Sequence, residues 1–229
     1  VVRGWEAEID REILAPLGIG LGSRLYRTQD APFGKPLGHG DAAYQCRDIL
    51  RNYDYVIANF GGDANSRRTI LSSLLALDAI NARAAAEGRQ LVDLLMPAAP
   101  IAGPAYPIVL DEEGLPRAFG HQKLQGHAVG RASGYTNVGV RVYRAAALVE
   151  RLESFRERYW KDGEGYAIPG NDPAGREFAL DNVDAQLAAE GRARILAAGR
   201  AEELTPAKTL GDIPAFERAA SIVAAEDLT

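Results

Sequence analysis

Cysteine is almost absent from this chain: Cys46 is the only one among 229 residues. An internal disulfide and a thiolate zinc cluster are both excluded. A reducing, cytoplasmic setting is the plain expectation. Long apolar runs are missing too. No stretch reaches the roughly 18 residues that a membrane-spanning helix needs, and none has the pattern of a secretory signal, so no membrane partner is expected. Positive charge is in deficit, with 26 Lys and Arg against 31 Asp and Glu, a net charge of -5. Non-specific nucleic-acid binding depends on clustered Lys and Arg, so no nucleic-acid partner is expected. An anionic substrate held by backbone N–H groups and a metal remains open. A starting Met is also lacking. The chain opens on "VVRGWEAEID" as though a strand were already ending, and residues before Val1 are expected.

Otherwise the composition is ordinary. Hydrophobic residues make up 47% and charged residues 25%, close to the average of globular domains. The length suits one large α/β domain over 1–229. No internal repeat, low-complexity segment or flexible linker interrupts it.

The periodicity predicts a helix over 4–15, a short strand at 23–28, and a Gly/Pro-rich loop leading to a helix from Asp41 to Leu50. An apolar run at 54–60, bounded by turn signals, reads as a buried strand. The long amphipathic helix after it has Ser66 as its N-cap and Gly88 as its stop. "QLVDLLMPA" is a second buried strand. "YPIVLDEEGLPRAFG" reads as two strands turning at Glu113-Gly114, and "GYTNVGVRVYR" as a strand running into a helix over 144–160. The loop at 162–176 is expected to be a mobile insertion. A helix ending at Gly191, a strand "ARILAA" and a final helix over 213–227 complete the chain. Because strands alternate with helices, the expectation is an open, mostly parallel (mixed) sheet flanked by helices.

Two stretches carry candidate chemistry. The strand at 54–60 ends in Gly61, Gly62 and Asp63. Ligands gather at the carboxyl ends of strands in open α/β sheets. A carboxylate there, cleared by two glycines, is suited to Mg²⁺ shared with phosphate oxygens. The alternative is that Asp63 caps the following helix. In "KPLGHGDAAYQC", Gly38 and Gly40 bracket His39 just before a helix, where free N–H groups suit a base edge or a phosphate. The alternative is a simple turn. His121 and His127 have no third ligand in reach of the sequence. Cys46 reads as a small core residue, Tyr159 and Trp160 as packing residues, and Arg67 and Arg68 as a solvated helix face.

These stretches, in their order and spacing, resemble the sugar-phosphate nucleotidyltransferases. "PLGHGDA" is similar to that family's base-contacting loop. Gly62-Asp63 stands at the distance of its Gly-Asp, whose Asp binds Mg²⁺. "PAYPIVLDEEGLPRAFGHQK" resembles its hairpin, "GYTNVGVRVY" the strand whose Asn contacts the sugar, and "REFALDNVDAQLAAEG" a later helix. "TLGDIPAFERA" is similar to its closing segment. The resemblance covers nearly the whole chain. It implies a Rossmann-like nucleotide-diphospho-sugar transferase fold and a Mg²⁺-dependent reaction of a nucleoside triphosphate with a sugar-1-phosphate. It further implies that Asp63 binds the metal, that Gln29, Gly38, His39, Gly40 and Gly62 line the nucleotide, and that Asn137 and Glu177 face the sugar-phosphate. Such enzymes often assemble, so a homo-oligomer is compatible.

The departures are specific. The family's Gly-rich triphosphate loop belongs before Val1, and the expectation is a chain lacking it and its strand. "LGIGLGSRLYRTQDAPFGKPL" resembles that loop, with Arg24 and Lys35 as its basic residues, but it stands too close to Asp63. The family's second metal ligand falls near Lys208 or Thr209; Lys208 is expected to pair with a phosphate instead. The family's Thr in the later helix falls on Asp181, so a remodelled sugar pocket is expected. Two rivals share the fold. One is a glycosyltransferase, with Asp63-Ala64-Asn65 as its metal-binding motif. The other is a non-catalytic nucleotide-sugar-binding relative.

Overall fold

The structure is a computed structural model, and it describes residues 11, 37–59, 65–100, 107–119, 131–171, 176–205 and 210–227. The helix expected over 4–15 and the strand at 23–28 lie outside these residues, apart from Arg11.

The strand at the heart of the sheet is β2 (Leu94–Pro100), buried along all but its last residue. Its side chains alternate between two cores. Leu94, Met96 and Ala98 enter the larger one and Leu95 the smaller. Burial of both faces is why its sequence reads as a continuous apolar run rather than an alternation. The smaller core lies under the long helix Arg67–Ala86, through Leu77, Leu74 and Ile80. The larger core lies under the helices Ala145–Tyr159 and Leu180–Ala189, through Leu148, Leu152, Val183 and Leu187. Helices therefore cover both faces.

The remaining strands of the seven-stranded sheet are β1 (Tyr55–Asn59), β3 (Pro107–Leu110), β4 (Pro116–Phe119), β5 (Arg131–Asn137), β6 (Val140–Arg144) and β9 (Ala193–Leu196), in the order β1-β6-β2-β5-β3-β4 with β9 also on β2. Among the described residues only the β2–β9 pair is parallel; every other pair is antiparallel. This corrects the expectation of a mostly parallel sheet. The helix Arg67–Ala86 does join two strands that run the same way, β1 and β2, but β6 lies between them in the opposite direction. β3 and β4 are joined by a tight turn and so run antiparallel, while β5 passes almost directly into β6 and both run antiparallel to β2.

Local signals worked where they were local. Ser66 Oγ accepts the Thr69 N–H at 3.2 Å and caps the long helix. Gly88, at φ +64°, ends it in the left-handed region. Asp111 Oδ1 accepts the N–H groups of Glu113 and Leu115, and shapes the β3–β4 turn around Gly114. The helix expected over 41–50 is instead two short ones, His39–Tyr44 and Arg47–Leu50. The break comes where Cys46 N–H turns back to the Ala43 carbonyl, a tighter bond than a continuing α-helix makes. Within the loop at 162–176, the described part is anchored rather than loose. A small hairpin of β7 (Trp160–Lys161) and β8 (Gly165–Tyr166) leads Tyr166 and Ile168 into the larger core.

Candidate functional site

At the carboxyl end of β1, Asn59 Oδ1 accepts from Asn65 Nδ2 at 2.6 Å. These two side chains link the end of the strand to the residue before the Ser66 cap. Gly62 and Asp63 lie outside the described residues. The capping alternative for Asp63 is decided from the other side, because Ser66 holds the N-cap.

The start of that helix is further satisfied by a residue the sequence reading missed. Glu203, in the 3-10 turn Ala201–Leu204, is fully buried. Its Oε1 accepts the Ser66 N–H at 2.8 Å, and its Oε2 accepts the Thr69 hydroxyl at 2.9 Å and the Arg200 N–H at 3.0 Å. A carboxylate at the positive end of a 20-residue helix is well placed electrostatically. With its oxygens so occupied, Glu203 is not a spare metal ligand. The Arg200 contact is local, but nothing in "RAEELT" points to Ser66 and Thr69, which are 137 and 134 residues away.

Next to β1, Asn59 pairs with Val140. Asn137 lies opposite Ala98 near the carboxyl end of β2. Its Oδ1 accepts the Gly139 N–H at 3.1 Å, where the chain turns through φ +81°. Between Ala98↔Asn137 and Leu95↔Val142 the register slips by two residues, so Val138 and Gly139 bulge from the ladder. Gly199 packs onto the bulge so tightly that a Cβ there would meet Val138 Cγ1 at 2.5 Å. Asn137 thus stands at the edge of a bulge, near the carboxyl end of β2.

The Gly38–Gly40 turn is built by close packing. The Gly40 N–H donates to the Phe178 carbonyl at 2.8 Å, and the Phe178 N–H donates to the Leu37 carbonyl at 2.8 Å. A Cβ on Gly40 would lie 2.8 Å from the Phe178 oxygen, and one on Gly38 2.5 Å from it. The glycines are required so that residues 37–41 can lie against residues 177–179. The Gly40 amide is consequently engaged, contrary to the free N–H groups expected from the sequence. His39 remains partly exposed. Its Nδ1 accepts the Leu180 N–H at 2.9 Å, which puts the ring proton on Nε2, 3.3 Å from Asp181 Oδ2. Glu177 is half-buried beside Arg176, whose φ of +54° is unusual for a residue with a side chain.

Behind His39 lies a buried polar chain. Arg141 Nη2 donates to Asp181 Oδ1 at 2.9 Å and its Nε to Asp184 Oδ2 at 2.5 Å; Tyr143 O–H donates to Asp184 Oδ1 at 2.5 Å. Burial alone would lower the Arg141 guanidinium, but the charges of Asp184 and Asp181 outweigh it and hold it raised, so it stays charged. Burial pushes the Tyr143 phenol well up, helped by the neighbouring Asp184 charge. In the sequence, Arg141 passes for a strand residue and Asp181 for a motif departure. Only the fold shows that they pair.

Tyr159 and Trp160 pack, as expected. The Arg156 guanidinium covers the Trp160 ring at 3.3 Å, and the indole N–H donates to Asp162. Arg156 also approaches Asp41, a buried carboxylate that accepts the Tyr166 hydroxyl at 2.7 Å. Among the described residues no three His, Cys, Asp or Glu side chains are grouped to hold a metal ion, and no helix is long and apolar enough to cross a membrane. Gln29, Lys208 and the pair His121 and His127 lie outside the described residues.

No protein-family model matches this chain, and no curated protein matches it either.

Proposed function

We propose that this chain is a sugar-phosphate nucleotidyltransferase of the Rossmann-like nucleotide-diphospho-sugar transferase type, working in the cytoplasm with Mg²⁺. It would join a nucleoside triphosphate to a sugar-1-phosphate and release pyrophosphate. One observation carries this reading. Three stretches that resemble separate family motifs, far apart in sequence, meet through the chain His39–Asp181–Arg141. Residues 37–41 also lie directly on residues 177–180.

In this reading a sugar-phosphate oxygen attacks the α-phosphorus as the bond to the pyrophosphate oxygen breaks. No covalent enzyme intermediate is required; the protein orients the reactants and neutralises phosphate charge. Asp63 would hold Mg²⁺, which would supply part of that neutralisation. Gln29, Gly38, His39, Gly40 and Gly62 line the nucleotide. With the Gly40 amide occupied and both His39 ring nitrogens engaged by Leu180 and Asp181, His39 would meet the base with the partly exposed face of its ring. Asn137, Glu177 and Lys208 face the sugar-phosphate.

A second reading, a non-catalytic nucleotide-sugar binder, draws support from Asp181. It stands where the resemblance puts a Thr of the sugar pocket, and it is committed to Arg141 and His39.

Calorimetric titration with a panel of nucleoside triphosphates, with and without Mg²⁺, tests the shared premise. Binding that depends on Mg²⁺ and loses that dependence in Asp63→Asn is expected. Absence of nucleotide binding in both proteins contradicts both readings.

A further inference from the structure

At the opposite end of the sheet, where β2 begins, Asp93 is fully buried between two arginines. Arg144 Nη1 donates to its Oδ1 at 2.8 Å, and Arg192 Nη2 touches its Oδ2. Glu190, just past the helix Leu180–Ala189, meets a third. Arg151 Nη2 donates to Glu190 Oε2 at 2.6 Å, and Arg192 Nη1 lies 3.9 Å from the same oxygen. Three guanidiniums, from β6, from the helix Ala145–Tyr159 and from the turn before β9, thus surround two carboxylates. Within this group one positive charge is left over. Burial also pushes the Asp93 carboxyl up, with Arg192 and Arg144 only partly offsetting it.

A second observation is independent of the charge count. The Nε–H groups of both Arg151 and Arg192 are buried and have no hydrogen-bond partner. Native structures seldom leave buried donors unpaired. An oxyanion can accept Nε–H and Nη–H side by side from one guanidinium, and has oxygens left for a neighbour.

We propose that Arg144, Arg151 and Arg192 form a binding site for a small free oxyanion such as inorganic phosphate, with Glu190 as the internal group that the anion displaces. Glu190 is suited to leave. Its side chain is one-third exposed, and it sits at the end of a helix, so it can swing into water. Asp93 is not so placed; it stays as the buried anchor that holds Arg144 and Arg192 in position. The site is remote from Asn59 and Asn137, so it would bind an effector rather than the substrate, and it does not depend on the proposed reaction.

The test is thermal unfolding of the whole chain against increasing phosphate, with chloride at matched ionic strength as control, and with ³¹P line broadening as a direct readout. Wild type is expected to show a saturable rise in Tm with phosphate beyond that with chloride. Arg151→Gln should weaken the phosphate affinity at least tenfold, and Glu190→Gln should tighten it several-fold because the competing carboxylate is gone. No phosphate-specific shift in wild type overturns the proposal. So does unchanged affinity in Arg151→Gln, which would move the binding to another site. Should Arg151→Gln fail to fold, Glu190→Gln decides alone, and affinity no tighter than wild type rejects the site.

Discussion

Arg141 and Asp184 are 43 residues apart in sequence and form a buried ion pair, Nε to Oδ2 at 2.5 Å, that ties β6 to the helix Leu180–Ala189. The same guanidinium reaches Asp181, three residues earlier on that helix, and through it the partly exposed ring of His39. Removing Arg141 would leave two buried carboxylates facing each other. Arg141→Met is therefore expected to lose about 3–5 kcal/mol of stability. Replacing Arg141 and Asp184 together by apolar residues should cost less than Arg141→Met alone. Urea unfolding midpoints of the three proteins measure this, and equal losses would mean that the pair is not coupled.

Tyr143 gives a pH dependence with a definite sign. Its folded-state phenol is raised above the ordinary value near 10 by burial and by Asp184. A group raised on folding contributes stability that is fully present below the unfolded value and lost as pH rises above it. Stability should fall above about pH 10, less steeply in Tyr143→Phe. Ultraviolet titration should show that Tyr143 ionises only as the protein unfolds, so that Tyr143→Phe has one fewer such late-ionising tyrosine than wild type.

Asp111 has the opposite sign. The Leu115 N–H, followed by Arg117, holds its carboxyl below the usual range. Its contribution is present above the unfolded value and is lost as pH falls through the folded one. A carboxyl ¹³C titration should find the Asp111 midpoint below that of a model aspartate. An ordinary midpoint would mean that the β3–β4 turn is not held by this side chain.

Gly40→Ala tests the packed turn. The added carbon would stand 2.8 Å from the Phe178 oxygen and 2.9 Å from its ring, and overpacking of this kind costs about 1–3 kcal/mol. Gly134→Ala, where a Cβ meets nothing within 4 Å but φ is +78°, separates a backbone penalty from a clash. Chemical denaturation of both variants should show Gly40→Ala as the more damaged.

The pattern of what could be read from the chain follows from range. The long helix was legible because Ser66 and Gly88 act within a turn of its ends. The β3–β4 hairpin was legible because Asp111 and Gly114 shape it within five residues. Strand direction was not, since β6 finds β1 and β2 as neighbours only through the whole fold. Gly38 and Gly40 were legible as special positions, but their reason, contact with Phe178, was not. Asn137 stands at the edge of a bulge that no alternation pattern signals. Arg141 and Asp184 were invisible because they pair across 43 residues, and the role of Glu203 was invisible because the helix start it holds is 137 residues away.

The central claim is the chemistry, and pyrophosphate release measures it most directly. The chain is mixed with Mg²⁺, each nucleoside triphosphate and a panel of sugar-1-phosphates, and pyrophosphate is followed enzymatically. Release that needs one triphosphate, a sugar-1-phosphate and Mg²⁺ together, and that is lost in Asp63→Asn, is the predicted result. Tight nucleotide-sugar binding with no pyrophosphate from any combination would contradict it, and would leave a binding protein or a glycosyltransferase in its place.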